Sequence, residues 1–271
     1  LVSCLFFLFL KKNEPKSTVK EKTQVLISGL TMGTYYKVSF FPNEKNRAEE
    51  ENLKKLIEND LLEINRQMST YISDSEISQV NLADENTIVD ISPWFSKVLD
   101  YSLQLAEQTK GYFDPTVGPL VNLWGFGPQK SSKKPSEHEI KKTLKFVGYK
   151  KLSLKKNTLK KSSKKLYLDL SSVAKGFAVD QLSKRLLSLA YNNHLVEIGG
   201  ELKAYGKKSP KRPWIIGIEK PNASNTVHEL IVLSDLAIAT SGDYRNYYDT
   251  FEGTFTHTVS PLSGEARASN L

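Results

Sequence analysis

Leu166-Tyr167-Leu168-Asp169-Leu170-Ser171-Ser172-Val173-Ala174-Lys175-Gly176-Phe177-Ala178-Val179-Asp180 is the stretch on which the reading of this chain turns. Leu166, Leu168 and Leu170 alternate in strand fashion, and Ser171 or Ser172 then offers a hydroxyl for a helix N-cap. Beyond it Ala178, Leu182, Leu186 and Leu189 recur at near-helical spacing and make one apolar face. The pattern predicts a buried strand that turns directly into a helix. Such a helix start presents free backbone N–H groups and the positive end of the helix dipole. Asp169 at that point suits a metal or a ribose, and Lys175 suits a phosphate, so the functional reading is a site for a phosphorylated ligand. An ordinary capped core helix with a surface lysine would look the same, and this stretch alone does not separate the two.

The whole chain bounds what surrounds that helix. Its 271 residues can bury a sizeable core, as one large domain or two closely joined ones. With 39% hydrophobic residues and ordinary aromatic content it reads as globular. The net charge of +8 raises nucleic acid or an anionic membrane as partners, but 14 of the 38 Lys and Arg residues fall between Lys130 and Lys165, mostly in pairs. Only Phe146 and Tyr149 are interleaved with them, short of the row of aromatics a base-stacking platform requires, so they read as a solvated surface and no nucleic-acid partner is expected. One cysteine excludes an internal disulfide framework and a Cys-rich metal site.

The N-terminal residues read as a targeting segment. Residues 1–10 are apolar and are followed by Lys11-Lys12. Ten residues are too few to span a bilayer as a helix but suit the remnant of a signal-peptide hydrophobic region. Leu1-Val2-Ser3-Cys4 also resembles a bacterial lipobox, although the apolar run follows the cysteine, where a lipoprotein normally has a polar tether. Export is expected, and lipidation of Cys4 stays open. Residues 11–23 read as a charged linker.

Between linker and central helix, Val25-Leu26-Ile27 and Tyr35 to Phe41 read as strands around the tight turn Thr31-Met32-Gly33-Thr34. Helices are predicted over Asn46 to Arg66, Ser75 to Asn81, Pro93 to Thr109 and Ser136 to Gly148, the last opened by the capping box Ser136/Glu139. Gly111 to Pro128, with four glycines, three prolines and four aromatics, cannot form one regular element and reads as a packed loop or a wall for a planar ligand. Leu152 to Leu168 reads as a hairpin turning at Lys156-Asn157. After the central helix come strands: His194 to Ile198 and Glu201 to Tyr205 around Gly199-Gly200, then Trp214 to Glu219, Ile231 to Leu233 and Leu236 to Thr240. Tyr247 to Phe251 and Thr254 to Val259 form a further hairpin carrying His257. His138, His194 and His228 read as structural.

In order along the chain, Met32-Gly33-Thr34, Met68-Ser69-Thr70-Tyr71 with Ser75-Glu76, Phe113-Asp114-Pro115-Thr116-Val117 running on to Leu123-Trp124-Gly125-Phe126-Gly127, Asp169-Leu170-Ser171, Ala174-Lys175-Gly176, Glu197-Ile198-Gly199-Gly200-Glu201, Thr240-Ser241-Gly242-Asp243, and His257 before Pro261 and Gly264 resemble the ApbE family. That family comprises the FAD:protein FMN transferases. The resemblance implies an exported enzyme that moves FMN from FAD onto a Thr or Ser hydroxyl of a flavoprotein, with Mg²⁺ and release of AMP. The acceptors it implies are subunits of membrane redox complexes. By the family pattern Met32, Tyr71, Phe113, Asp114, Asp169, Lys175 and Thr258 contact FAD, Ser172 gives one oxygen to the metal, and His257 is the general base.

Two departures from the family stand out. Ser260 occupies the position where the family has Asp, and the chain ends at Leu271, before the Asp and Thr that complete the family's metal site. A C-terminally incomplete flavin transferase domain over residues 24–271 is therefore expected. Its fold class is α+β, one unit with mixed sheets, peripheral helices and an FAD cleft between two halves. Two other functions compete with transfer: flavin binding alone, and Mg²⁺-dependent hydrolysis of FAD to FMN and AMP.

Overall fold

The computed structural model describes residues 23–42, 50–128, 133–209, 212–220, 223–242, 247–250 and 253–268. The apolar start with Cys4, nearly all of the charged linker, the first residues of the helix predicted from Asn46, and Asp243 lie outside the described residues.

A five-stranded antiparallel sheet carries one face of the main core. Its strands run in the order β1 (Val25–Thr31), β2 (Thr34–Phe40), β6 (His194–Ile198), β7 (Glu201–Tyr205) and β10 (Ala237–Ile238). Alternation turns Tyr36, Val38 and Phe40 of β2 and Val196 and Ile198 of β6 inward, as the pattern of Tyr36, Val38 and Phe40 predicts. Against them pack α1 (Glu50–Met68), α3 (Pro93–Gln108) and α6 (Ser171–Ser188), through Leu53, Ile57 and Ile64, Phe95 and Leu99, and Ala178, Leu182 and Leu186. Arg185 of α6 grips Asp60 of α1 with two hydrogen bonds of 2.9 and 2.8 Å.

A second, smaller core joins α4 (Gly118–Leu123), α5 (Glu137–Leu144) and the sheet of β11 (Tyr247–Thr250), β12 (Gly253–Val259) and β13 (Ala266–Ala268). Trp124, Phe126, Ile140, Phe255 and Ala266 fill it. The predicted capping box is present, with Ser136 and Glu139 each accepting the other's backbone N–H. The short helix α2 (Glu76–Leu82) is N-capped by Ser75. The remaining strands are β3 (Ile88–Asp90), β4 (Leu152–Lys155) and β5 (Thr158–Lys161) in one sheet, and β8 (Trp214–Lys220) paired with β9 (Ala223–Leu233). The class is α+β, and every ladder among the described residues is antiparallel. A parallel pairing occurs as the isolated bridge between Val117 and Tyr167.

The deciding stretch differs from its sequence reading in three respects. Leu166, Leu168 and Leu170 are buried as predicted, but residues 166–170 join no sheet ladder among the described residues. The predicted hairpin accordingly ends at Lys161. The N-cap of α6 is Leu170, with no side-chain cap, and Asp169 Oδ1 instead accepts the Ser171 N–H at 2.8 Å. An Asp two residues ahead forms this local turn as readily as a serine forms a cap.

Candidate active site

Around the start of α6 the chain places polar groups with unused capacity. Ser171 and Ser172 are exposed. One turn further, the Lys175 ammonium lies 3.0 Å from Glu201 Oε1, at the beginning of β7. The other oxygen, Glu201 Oε2, is buried and has no hydrogen-bond partner among the described residues. Asp169 takes the Ser171 N–H at this helix start, and a lysine one turn in suits the rest of it to an anion.

Two tight turns flank this helix start at one end of the main sheet. Met32 and Gly33, linking β1 to β2, both have positive φ (50° and 72°), and Gly199 and Gly200, linking β6 to β7, have 54° and 99°. Methionine rarely adopts this left-handed conformation, and such strain gathers at functional sites. Gly199 is needed for a second reason: a Cβ there would lie 2.6 Å from Thr34 Cγ2. Gly199 N donates to Tyr35 O, Asn65 of α1 donates to Thr31 Oγ1, and Thr240 Oγ1 donates to Gly200 O. A groove of about 490 Å³ follows the turn from Leu30 to Tyr35.

On the other side of Asp169 stands an aromatic wall. Tyr71 is 62% exposed, and its hydroxyl donates to Phe126 O at 3.3 Å. Burial and then the Asp169 charge raise the Tyr71 hydroxyl's pKa, and the same two causes in the same order raise that of Tyr167. The Asp169 charge is thus within electrostatic reach of both phenols. The Phe126 ring stacks on Tyr248 (centroids 5.3 Å) and meets the His257 ring at 6.5 Å in a T-shaped arrangement. His257 is exposed on β12, and the turn after it is fixed by Trp124 Nε1 donating to Gly264 O at 2.8 Å. Ser260 Oγ accepts the Ser263 N–H at 3.1 Å, so the serine supplies the local turn bond that an Asp would make there.

Contacts therefore link Tyr71, Phe126 and His257 in succession, with Asp169 in electrostatic reach of Tyr71, Lys175 one turn into α6 and Met32 on the β1–β2 turn. Phe113 is half-buried before Asp114, and Thr258 is exposed beside His257. Asp114 is 5% exposed with both oxygens engaged: Oδ1 accepts Thr116 N and Oγ1, and Oδ2 accepts Tyr149 N. Its side chain clamps two loops together. The adjacent Pro115 carbonyl accepts the Asp169 N–H at 2.9 Å, so this clamp also supports the helix start. Glu201 and Phe126 stand in the motif pieces already quoted, yet nothing in their sequence neighbourhood shows that one holds Lys175 and the other joins Tyr71 to His257.

For a metal the fit is incomplete. The exposed Ser172 hydroxyl is a hard oxygen donor of the kind Mg²⁺ takes. Among the described residues, however, no group of three or more His, Cys, Asp or Glu side chains gathers to hold an ion.

The sequence profile of the ApbE family matches residues 32–271. The chain belongs to the ApbE family. Among its relatives in that family, the FAD:protein FMN transferase of Haemophilus influenzae is 42% identical over 253 residues, which is 90% of this chain and 73% of that protein. The FAD:protein FMN transferase of Vibrio cholerae is 40% identical over 247 residues, 90% of this chain and 74% of that one. Solved ApbE structures share the fold. The flavin transferase ApbE from Vibrio cholerae superposes with a TM-score of 0.81 at 38% identity, covering 90% of this chain and 78% of that one. The apo flavinyl transferase ApbE of Pseudomonas stutzeri gives 0.82 at 35% identity, covering 91% and 77%.

Proposed function

We propose that this ApbE-family chain is a FAD:protein FMN transferase, moving FMN from FAD to a Ser or Thr hydroxyl of an acceptor flavoprotein and releasing AMP. The observation that carries this reading is the run from the Asp169–Lys175 helix start through Tyr71 and Phe126 to His257. On this reading Lys175 and the start of α6 serve the phosphates of FAD, and His257 serves as the proton acceptor. Lys175 exchanges its Glu201 contact for a phosphate oxygen of FAD, and Asp169 accepts hydroxyl donors from the ligand. Met32, Tyr71 and Phe113 offer apolar and aromatic surface to its rings, and Thr258 adds a hydroxyl beside His257. Asp114 acts through the loop it clamps. His257 takes the acceptor hydroxyl's proton; the hydroxyl oxygen bonds to the FMN phosphorus as the bond to the AMP phosphate breaks. Its exposure lets a protein side chain reach it.

Magnesium dependence belongs to the same proposal. The cation would neutralise pyrophosphate charge, with Ser172 as one oxygen ligand. Export, an acceptor in a membrane redox complex and a lipid anchor at the membrane surface are also proposed, supported by the apolar opening and Leu1-Val2-Ser3-Cys4. Exposed His257 is open to water too, which keeps FAD hydrolysis as the second reading. Incubation with FAD, Mg²⁺ and a candidate acceptor, followed by chromatography of the products, separates these readings. AMP released in step with flavin bound to acceptor supports transfer. AMP with free FMN supports hydrolysis, and unchanged FAD supports binding alone.

A further inference from the structure

We propose that Asn81 and Lys161 are positioning residues for the FAD site, setting the backbone of residues 166–169 and through it Asp169 and the start of α6. This rests on the FAD reading above. Among the described residues the segment has no strand neighbour on the side facing α2, and a side chain stands in for one. Asn81, on the same face of α2 as buried Ile77, is 8% exposed. Its Nδ2 donates to Leu168 O at 3.0 Å and its Oδ1 accepts Leu168 N–H at 2.7 Å. One amide thus reproduces both bonds of an antiparallel rung.

Lys161 completes the brace. At the end of β5 it turns inward and is 3% exposed. Its ammonium donates to Asn81 O, and to Lys164 O and Leu166 O at 3.2 and 3.3 Å. Three donors meet three carbonyls, one on α2 and two on the approach to Leu168. Burying an ammonium is costly, and apolar packing could supply stability in its place. Apolar packing cannot set the register of a segment that lacks a ladder. On the opposite side the Val117–Tyr167 bridge and the Asp169 N–H bond to Pro115 O hold the same residues. Asp169 is therefore fixed from both flanks, one residue after the Asn81 rung.

The test measures FAD affinity by fluorescence quenching, together with KM and kcat, for the full chain and its Asn81→Ala and Lys161→Met variants. Losing the rung weakens FAD binding and raises KM about tenfold, while kcat at saturating FAD stays within about threefold. Lys161→Met, which keeps the aliphatic stem, moves KM in the same direction. A kcat loss at unchanged KM and affinity is what a smaller folded fraction produces, and it would overturn the proposal; so would wild-type affinity in both variants. If Asn81→Ala does not fold, the same division of effect in Lys161→Met decides. A wild type that binds no FAD overturns the FAD reading and this proposal with it. A wild type that binds FAD alongside variants that bind equally well overturns only the brace.

Discussion

At the start of α6 the Lys175 ammonium rests against Glu201 Oε1, while Oε2 of that carboxylate is buried without a hydrogen-bond partner among the described residues. A charged hydrogen bond to a phosphate is worth about 1.5–3 kcal/mol, so Lys175→Ala should raise KM for FAD roughly tenfold to a hundredfold. Steady-state kinetics over a range of FAD concentrations checks this. Asp114 should behave differently. Its carboxylate accepts three hydrogen bonds within two loops, so Asp114→Ala should cost about 2–3 kcal/mol and lower the melting temperature by roughly 5–10 °C. Calorimetry measures that drop. The sequence marks both residues through the same family resemblance but does not distinguish them, because an Asp before Pro serves a turn or a ligand equally well. The Tyr149 N–H that settles its present partners comes from 35 residues away. Ser260 is similar: as a letter it departs from the family, and only its bond to Ser263 shows that the turn is kept.

Elements with strong helical periodicity were legible. The predicted and observed bounds of α3 agree to one residue, and the capping box fixes the start of α5. Alternation proved a weaker guide, because it reports which face is buried and not what the backbone bonds to. Residues 166–170 alternate faithfully yet have a side-chain amide where a strand was expected. β9 extends well beyond the predicted Ile231 to Leu233, since Val227 to Leu230 form an exposed ribbon with no apolar face to signal it. β13, only three residues long, gave no signal. Two contacts between elements carry testable energy. Asp60→Ala leaves the half-exposed Arg185 without its partner and should cost about 1–3 kcal/mol in denaturant unfolding. His194, buried between α6 and β6, bonds to Ser183 Oγ and Tyr191 O, and burial lowers its pKa from 6.5. The unfolded chain then binds a proton that the folded chain resists, so this contribution is present above pH 6.5 and is lost as the pH falls below it. Urea unfolding between pH 7.5 and 5 should show that loss, and His194→Gln should flatten it.

For the whole molecule, the arrangement matters more than any one element. The main core positions α6 and the two tight turns, the smaller core positions Phe126 and His257, and Tyr71 and Pro115 connect them at the seam. Composition excluded disulfide and Cys-rich metal chemistry from the outset, and the ordered motif pieces implied the family. Sequence order could not show that His257 reaches Tyr71 through Phe126, or that the Asp169 charge, 88 positions before His257, acts on Tyr71, because that neighbourhood exists only once both cores have formed. The most direct test is the intact mass of a candidate acceptor after incubation with FAD, Mg²⁺ and either wild-type or His257→Ala chain. FMN transfer predicts an acceptor heavier by one covalently bound FMN with the wild type, and labelling slowed about 10²–10⁴-fold by the substitution. Labelling at equal rates in both would contradict His257 as the base, and AMP release with an unlabelled acceptor would contradict transfer itself.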